Sequence, residues 1–99
     1  MLQTTSGRPV EVIDPGLPNM NAGPDFFNAK LKIDGTLWVG NVEVHTQASD
    51  WLLHRHDRDK AYDTVILHVV GESNCDVYRT NGELVPRWCS LARHCPLAL

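Results

Sequence analysis

The sequence has few of the features that mark membrane, exported or nucleic-acid-binding proteins. No apolar run approaches the roughly 20 residues that cross a bilayer. The first residues also contain no apolar run of the length found in signal peptides. Nine Lys and Arg against twelve Asp and Glu give a net charge of -3, so the sequence provides no general basic surface for holding nucleic acid. We therefore expect a cytoplasmic protein without a membrane partner.

Cysteine and aromatic residues are also scarce. Cys75, Cys89 and Cys95 are an odd set without a Cys-x-x-Cys pair, so neither a disulfide framework nor a thiolate zinc site is indicated. Aromatic residues make up only 7% of the chain, but hydrophobic residues reach 42%, which is typical of globular proteins. Because 99 residues leave room for one core, we predict a single domain over residues 1–99.

The first half of the chain has the pattern of strands joined by turns. Residues 9–13 favour a strand that ends at the turn sequence Asp14-Pro15-Gly16, and a loop rich in Pro, Asn and Gly follows. Residues 26–34 and 37–47 alternate on either side of Asp34-Gly35, a two-residue sequence typical of β-hairpins. We therefore expect these two segments to pair as antiparallel strands.

The two faces of this hairpin differ in polarity, because side chains alternate along a strand. The apolar face, which we expect in the core, carries Ala29, Leu31, Ile33, Trp38, Val42 and Val44. The polar face, which is available for chemistry, carries Asn28, Lys30, Lys32, Asn41, Glu43 and His45.

The second half of the chain predicts a helix and three more strands. Residues 51–56 favour a short helix, and residues 63–70 are apolar on both sides, as in an interior strand. Residues 75–79 and 83–89 flank Asn81-Gly82 and predict a hairpin with a type I′ turn. The fold class that follows is α+β: a mixed, mostly antiparallel sheet of five to six strands with one short helix.

Three side chains of the first hairpin form the main candidate for a catalytic site. Glu43 and His45 are two residues apart on a strand and leave the same face, and Asp25 begins the partner strand at the open end of the hairpin. Two carboxylates of this kind can hold Mg²⁺ or Mn²⁺, and the imidazole can position or deprotonate a water molecule. We predict Asp25 and Glu43 as metal ligands and His45 as the catalytic base.

A purely structural interpretation explains the same residues. Asp25 follows Gly23-Pro24 and can cap a turn. Glu43 can form an exposed cross-strand ion pair with Lys30 or Lys32. Neither carboxylate would then have a function beyond stability.

A second candidate set is rich in histidine. His54 and His56 lie at the end of the predicted, irregular helix, and either His45 or His68 could complete a metal site if that helix folds back across the sheet. We include His54 and His56 as candidate metal ligands, with Zn²⁺ ranked below Mg²⁺ and Mn²⁺. His68 lies within an apolar strand, where a hydrogen-bonded core histidine is the commoner case.

The spacing of Asp25, Glu43 and His45 resembles the PD-(D/E)XK nuclease superfamily. In that family an Asp and a Glu/Asp-x-Lys on adjacent strands of a hairpin bind the metal and activate water. The resemblance implies Asp25 and Glu43 as metal ligands and a restriction-endonuclease-like core. His45 stands where that family has lysine, and an imidazole does not supply lysine's fixed positive charge.

A longer set of motifs is similar to the start of a bacterial family, domain-of-unknown-function family 2851. The motifs are Gln3–Arg8 (QTTSGR), Asp14–Gly16 (DPG), Ala22–Ala29 (AGPDFFNA), Trp38–His45 (WVGNVEVH), Ser49–Trp51 (SDW) and Val65–Val70 (VILHVV). Members of that family are several times longer, which implies that this chain is a fragment of a longer protein. Residues 87–99 do not resemble the family's continuation, and uncovered apolar surface or sheet edges lead us to expect a homo-oligomer.

These observations support three functional hypotheses. The first is a divalent-metal-dependent phosphodiester hydrolase that uses Asp25, Glu43 and His45; the net charge does not favour a nucleic-acid partner, so phosphate binding would depend on the metal. The second is a non-catalytic binding or scaffold module. The third is a histidine-rich site for a transition metal.

Overall fold

Strands dominate the computed structural model, which describes residues 2–90. The seven strands are β1 (Leu2–Gln3), β2 (Pro9–Asp14), β3 (Leu17–Pro18), β4 (Phe26–Ile33), β5 (Thr36–Gln47), β6 (Val65–Glu72) and β7 (Arg87–Cys89). Helical structure in this part of the chain consists of α1 (Asp50–Leu53) and two 3₁₀ turns, His56–Arg58 and Lys60–Tyr62. No helix among the described residues has the length and apolar character needed to span a bilayer.

All seven strands belong to one sheet, in the order β1-β2-β4-β5-β6-β7, with β3 paired to β4 beyond the end of β2. The pairs β1–β2, β2–β4, β3–β4 and β4–β5 are antiparallel. The pairs β5–β6 and β6–β7 are parallel. Parallel neighbours need a crossover connection, and α1 with the two 3₁₀ turns supplies the one between β5 and β6.

The prediction of an α+β domain with five to six strands is wrong, because the chain is mostly β and its sheet has seven strands. Leu17–Pro18 lies in the predicted loop but pairs with Phe26 and Phe27. The predicted helix over residues 51–56 ends at Leu53, because Arg55 adopts a left-handed conformation that no helix continues. Residues 2–90 therefore do not form the expected restriction-endonuclease-like α+β core either.

The two predicted turns have different outcomes. The hairpin at Asp34-Gly35 is confirmed: both residues have positive φ, at 53° and 80°, and Ile33 pairs with Thr36. At Asn81-Gly82 only the glycine has positive φ, so the turn is not type I′. Its arms form one isolated bridge, Tyr78 with Leu84, flanked by backbone hydrogen bonds from Arg79 N to the Glu83 carbonyl and from Val85 N to the Val77 carbonyl. The segment that follows forms β7, parallel to β6.

The sheet is covered on both faces where β6 crosses it. One cluster comprises Val10, Ala29, Leu31, Ile33, Val42, Ile66 and Leu67, and a second comprises Trp51, Tyr62, Val65, Val77 and Val85. The predicted burial of four apolar hairpin residues is confirmed, but Trp38 and Val44 are 47% and 43% exposed. Glu43, predicted on an accessible face, is only 4% exposed because the crossover packs over it.

Gly40 marks the point where β6 joins β5. A Cβ atom added there would lie 2.5 Å from Ile66 Cγ2 and 2.7 Å from the Thr64 carbonyl oxygen. The same Thr64 carbonyl accepts a hydrogen bond from Asn41 N at 2.9 Å. The glycine therefore permits the close backbone approach with which the parallel pairing begins.

We predict that Gly40→Ala lowers the free energy of unfolding by about 1–3 kcal/mol, because the methyl group displaces backbone as well as side chain. Urea denaturation followed by circular dichroism measures the change. The control Val39→Ala alters an adjacent side chain that is 57% exposed, and should cost less than about 1 kcal/mol. Equal midpoints for Gly40→Ala and the unmodified protein would contradict the close-approach interpretation.

Candidate metal centre

Three parts of the chain meet beside β5 and supply the candidate ligands. β5 presents Glu43 and His45 on one face, as the two-residue spacing predicted. The crossover supplies His54, directly after α1, and His56, which begins the first 3₁₀ turn. β6 supplies His68, which is opposite Glu43 in the parallel register.

The conformation of Arg55 explains how two histidines so close in sequence reach the same place. Its φ of 59° and ψ of 32° are left-handed, and they turn the chain between α1 and the 3₁₀ turn. A non-glycine residue adopts this conformation only where surrounding structure holds it. After the turn His56 is buried against the sheet while His54 stays exposed at the rim.

Glu43 Oε2 lies at the centre of the cluster. It is 2.9 Å from His56 Nε2 and 3.2 Å from His45 Nε2. Neighbouring ligands of one metal ion are separated by about 3.0 Å in an octahedral site and about 3.4 Å in a tetrahedral site when the bonds are about 2.1 Å long. These contacts therefore have the spacing of ligand atoms that share an ion.

The contact of His56 with Glu43 is close but is not aligned as a hydrogen bond. Both ring nitrogens of His56 are buried and have no hydrogen-bond partner among the described residues. The ring is held from its other side, where it stacks on Tyr62 with centroids 3.5 Å apart and an interplanar angle of 15°. A buried imidazole nitrogen without a partner is costly, and a bound cation would satisfy it.

Asp25 lies beside Glu43 at the open end of the hairpin, as the sequence predicted. Its backbone N–H donates to Glu43 Oε1 at 3.2 Å, and its Oδ2 accepts from Val44 N at 2.8 Å. Among the described residues, no Lys or Arg forms an ion pair with either carboxylate. The predicted pairing of Glu43 with Lys30 or Lys32 is therefore not observed.

His68 contacts the cluster from behind. The side chain is completely buried, and its Nε2 is 2.8 Å from His45 Nδ1. The expectation of a hydrogen-bonded core histidine is met, but the bond is to another candidate site residue. His45 thus contacts Glu43 through one ring nitrogen and His68 through the other.

Burial changes the pKa values of the site. It raises the pKa of the Glu43 carboxyl; the neighbouring His45 opposes this shift and the Asp25 carboxyl adds to it. Burial, with the nearby His45 and His54, lowers the pKa of His56 to about 4. Burial, with His45 and Arg87, lowers the pKa of His68 to about 3. Both histidines are therefore neutral at pH 7, the form in which imidazole binds metals.

Three of the histidines offer one ligand nitrogen each within a small volume. These nitrogens, from His45, His54 and His56, all lie within 4.8 Å of one another. The set must contract to bind one ion. His54 is the exposed member, and its ring lies edge-on to the rings of His45 and His56. The sequence prediction named all three but left their meeting conditional on the path of the helix. Tyr62, which supports His56, was not recognised, because nothing local distinguishes it from an ordinary core tyrosine.

We predict that the free energy of unfolding falls as the pH is lowered from about 6.5 towards 4 and 3. In this window the unfolded chain binds protons at His56 and His68 that the folded chain does not bind, so protonation favours unfolding. The raised pKa of Glu43 opposes this effect, because there the folded chain binds the proton more readily than the unfolded chain. Glu43 is one group, whereas the two histidines are two.

Urea denaturation in EDTA at pH 7 and pH 5 measures this dependence without a metal contribution. His68→Gln removes one of the two groups and should flatten the dependence. An unfolding free energy that does not change between these pH values would contradict the buried, neutral state of both rings.

Comparison with known proteins gives one result. A family model described as "Protein of unknown function (DUF2851)" matches residues 1–98. Neither the curated proteins nor the solved structures contain a match to this chain. The match spans every candidate ligand, but its description assigns none of them a role.

Proposed function

Because this chain belongs to the DUF2851 family, whose description assigns no activity, we propose from the site itself that it binds a divalent transition-metal ion. The ligands are Glu43, His45 and His56, with His54 completing the set from the rim. The observation that carries the proposal is the position of Glu43 Oε2, at 2.9 and 3.2 Å from two imidazole nitrogens. Such spacing suits atoms arranged around one cation.

The chemistry of the donors favours a metal of the zinc type over magnesium. Three imidazoles and one carboxylate form a mixed nitrogen and oxygen set, which suits Zn²⁺, Fe²⁺ or Mn²⁺, whereas Mg²⁺ prefers oxygen ligands and retained water. All of these ions carry the same charge of +2, so charge does not distinguish between them. Two adjacent carboxylates without a Lys or Arg partner among the described residues attract a divalent cation.

A second candidate function is metal-dependent phosphodiester hydrolysis, in line with the PD-(D/E)XK resemblance of the spacing. It is favoured by Asp25, whose carboxylate lies beside Glu43 but outside the histidine set. His54 is exposed, so one side of the site is open to solvent. A metal at an open site lowers the pKa of a bound water, and Asp25 could accept the proton from that water.

Two further statements stay predictions from the sequence. One is the homo-oligomer, and the other is a nucleic-acid partner, which the net charge of -3 does not favour. The remaining functional hypothesis, a scaffold module without metal, is an outcome of the experiments that follow.

We predict that Zn²⁺ raises the melting temperature of the metal-free protein and that His54→Ala weakens Zn²⁺ binding at least about tenfold. Metal that binds the folded state alone stabilises it in proportion to occupancy. The alanine removes one ligand from an exposed position, so the fold should remain intact. Calorimetric titration of Zn²⁺, Mn²⁺ and Mg²⁺ into EDTA-stripped protein gives the affinities.

The matched control is Leu53→Ala, which alters the neighbouring exposed residue without removing a ligand. This variant should bind Zn²⁺ as the unmodified protein does. If all three metals leave the melting temperature and the heat of titration unchanged, the cluster is a hydrogen-bonded core and the scaffold hypothesis replaces the metal centre.

For the hydrolase candidate, we predict nicking of supercoiled plasmid DNA in Mn²⁺ or Zn²⁺ that is lost in EDTA. Asp25→Asn should reduce the rate about 100-fold, the scale of general-base catalysis, while Zn²⁺ affinity changes much less. Lys60→Ala, on the second 3₁₀ turn, is the control for exposed charge. Nicking that survives both Asp25→Asn and Glu43→Gln would come from a contaminant or another site.

A further inference from the structure

His68 is the one histidine of the cluster that the proposed metal set does not use. Resting on the proposed function, we propose that His68 is a positioning residue: it accepts a hydrogen bond from His45 Nδ1 and so directs the lone pair of His45 Nε2 to the metal. The geometry behind this proposal is the 2.8 Å separation between His45 Nδ1 and His68 Nε2.

The position of His68 is fixed from all sides. Its backbone lies in β6 between two parallel neighbours, with its N–H donating to the Pro86 carbonyl at 2.8 Å. Its ring packs against Trp51 at a centroid distance of 5.1 Å, and Trp51 is itself anchored by a 3.2 Å hydrogen bond from Nε1 to the Tyr78 carbonyl. The completely buried ring has no room to turn away from His45.

The position of a single hydrogen determines what this contact does. Two ring nitrogens in a hydrogen bond share one hydrogen, which belongs to one ring or the other. When a metal occupies His45 Nε2, the hydrogen of that neutral ring is on Nδ1, and His68 Nε2 accepts it. His68 then carries its own hydrogen on Nδ1, a buried nitrogen that has no hydrogen-bond partner among the described residues. Each neutral ring keeps one hydrogen, so the arrangement needs no net proton uptake.

As the acceptor, His68 would fix the tautomer of His45 and increase the basicity of His45 as a metal ligand. Metal-bound imidazoles ordinarily donate their second ring N–H to a carboxylate, carbonyl or water, which fixes the tautomer and increases the basicity of the ligand. Here a neutral imidazole takes that place, because the Glu43 carboxylate contacts the other ring nitrogen of His45. An acceptor of this kind orients the ligand without adding negative charge behind it.

The test compares two substitutions of His68 in the whole chain. His68→Gln places a carbonyl oxygen near the position of Nε2 and keeps an acceptor; His68→Leu fills similar space without one. We expect His68→Leu to weaken Zn²⁺ binding about 10–100-fold and His68→Gln to recover most of that loss. Urea denaturation in EDTA establishes that each variant is folded.

A direct measurement does not depend on either variant folding. ¹⁵N-detected NMR of the Zn²⁺-loaded protein reports the tautomer of each histidine. We expect a hydrogen on Nδ1 of His45 and metal on its Nε2. Metal on His45 Nδ1 would overturn the proposal, as would equal weakening by the Gln and Leu variants.

The experiments distinguish failure of the role proposed for His68 from failure of the metal centre. Absence of Zn²⁺ binding by the unmodified protein overturns the metal centre and the role of His68 together. If the unmodified protein binds Zn²⁺, His54→Ala weakens binding and His68→Leu does not, the metal centre stands. His68 is then only a core residue.

Discussion

The parallel pairing of β5 with β6 is the constraint on which the rest of the molecule depends. Two parallel neighbours cannot be joined by a tight turn, so the chain must return over one face of the sheet before β6 begins. That return carries His54 and His56 back over β5, where Glu43 and His45 face it. The close approach at Gly40 and the left-handed turn at Arg55 both serve this one crossover.

The return path also produces an electrostatic problem that a cation would solve. It buries Glu43 next to the Asp25 carboxylate and against His56, whose pKa burial lowers to about 4. Burying a charge without a partner costs far more than burying an apolar group. Protonation of Glu43 or a bound metal ion would each relieve this cost. A metal ion bound by Glu43 would also satisfy Nε2 of His56, one of the two ring nitrogens of His56 without a hydrogen-bond partner among the described residues.

The features that the sequence predicts are those set by residues close to one another along the chain. The Asp34-Gly35 turn is a two-residue property, and it sets the pairing of the two strands as far as Ala29. A register shift between Phe26 and Ala29, where Asn28 has a φ of 59°, then brings Asp25 beside Glu43. The position of His56 depends on a crossover whose direction no local pattern specifies. Trp38 was placed in the core because it alternates correctly, but β6 begins too late to cover it. Burial depends on neighbours in space as well as on periodicity.

The central claim is that three imidazoles and one carboxylate surround a single ion. Zinc K-edge X-ray absorption of the Zn²⁺-loaded chain tests it directly, because imidazole rings produce distinctive multiple scattering. The account predicts a nitrogen and oxygen shell at about 2.0–2.1 Å with scattering from three rings, and one ring fewer in His54→Ala. A sulfur shell at about 2.3 Å, or a shell of water oxygens without imidazole scattering, would contradict it.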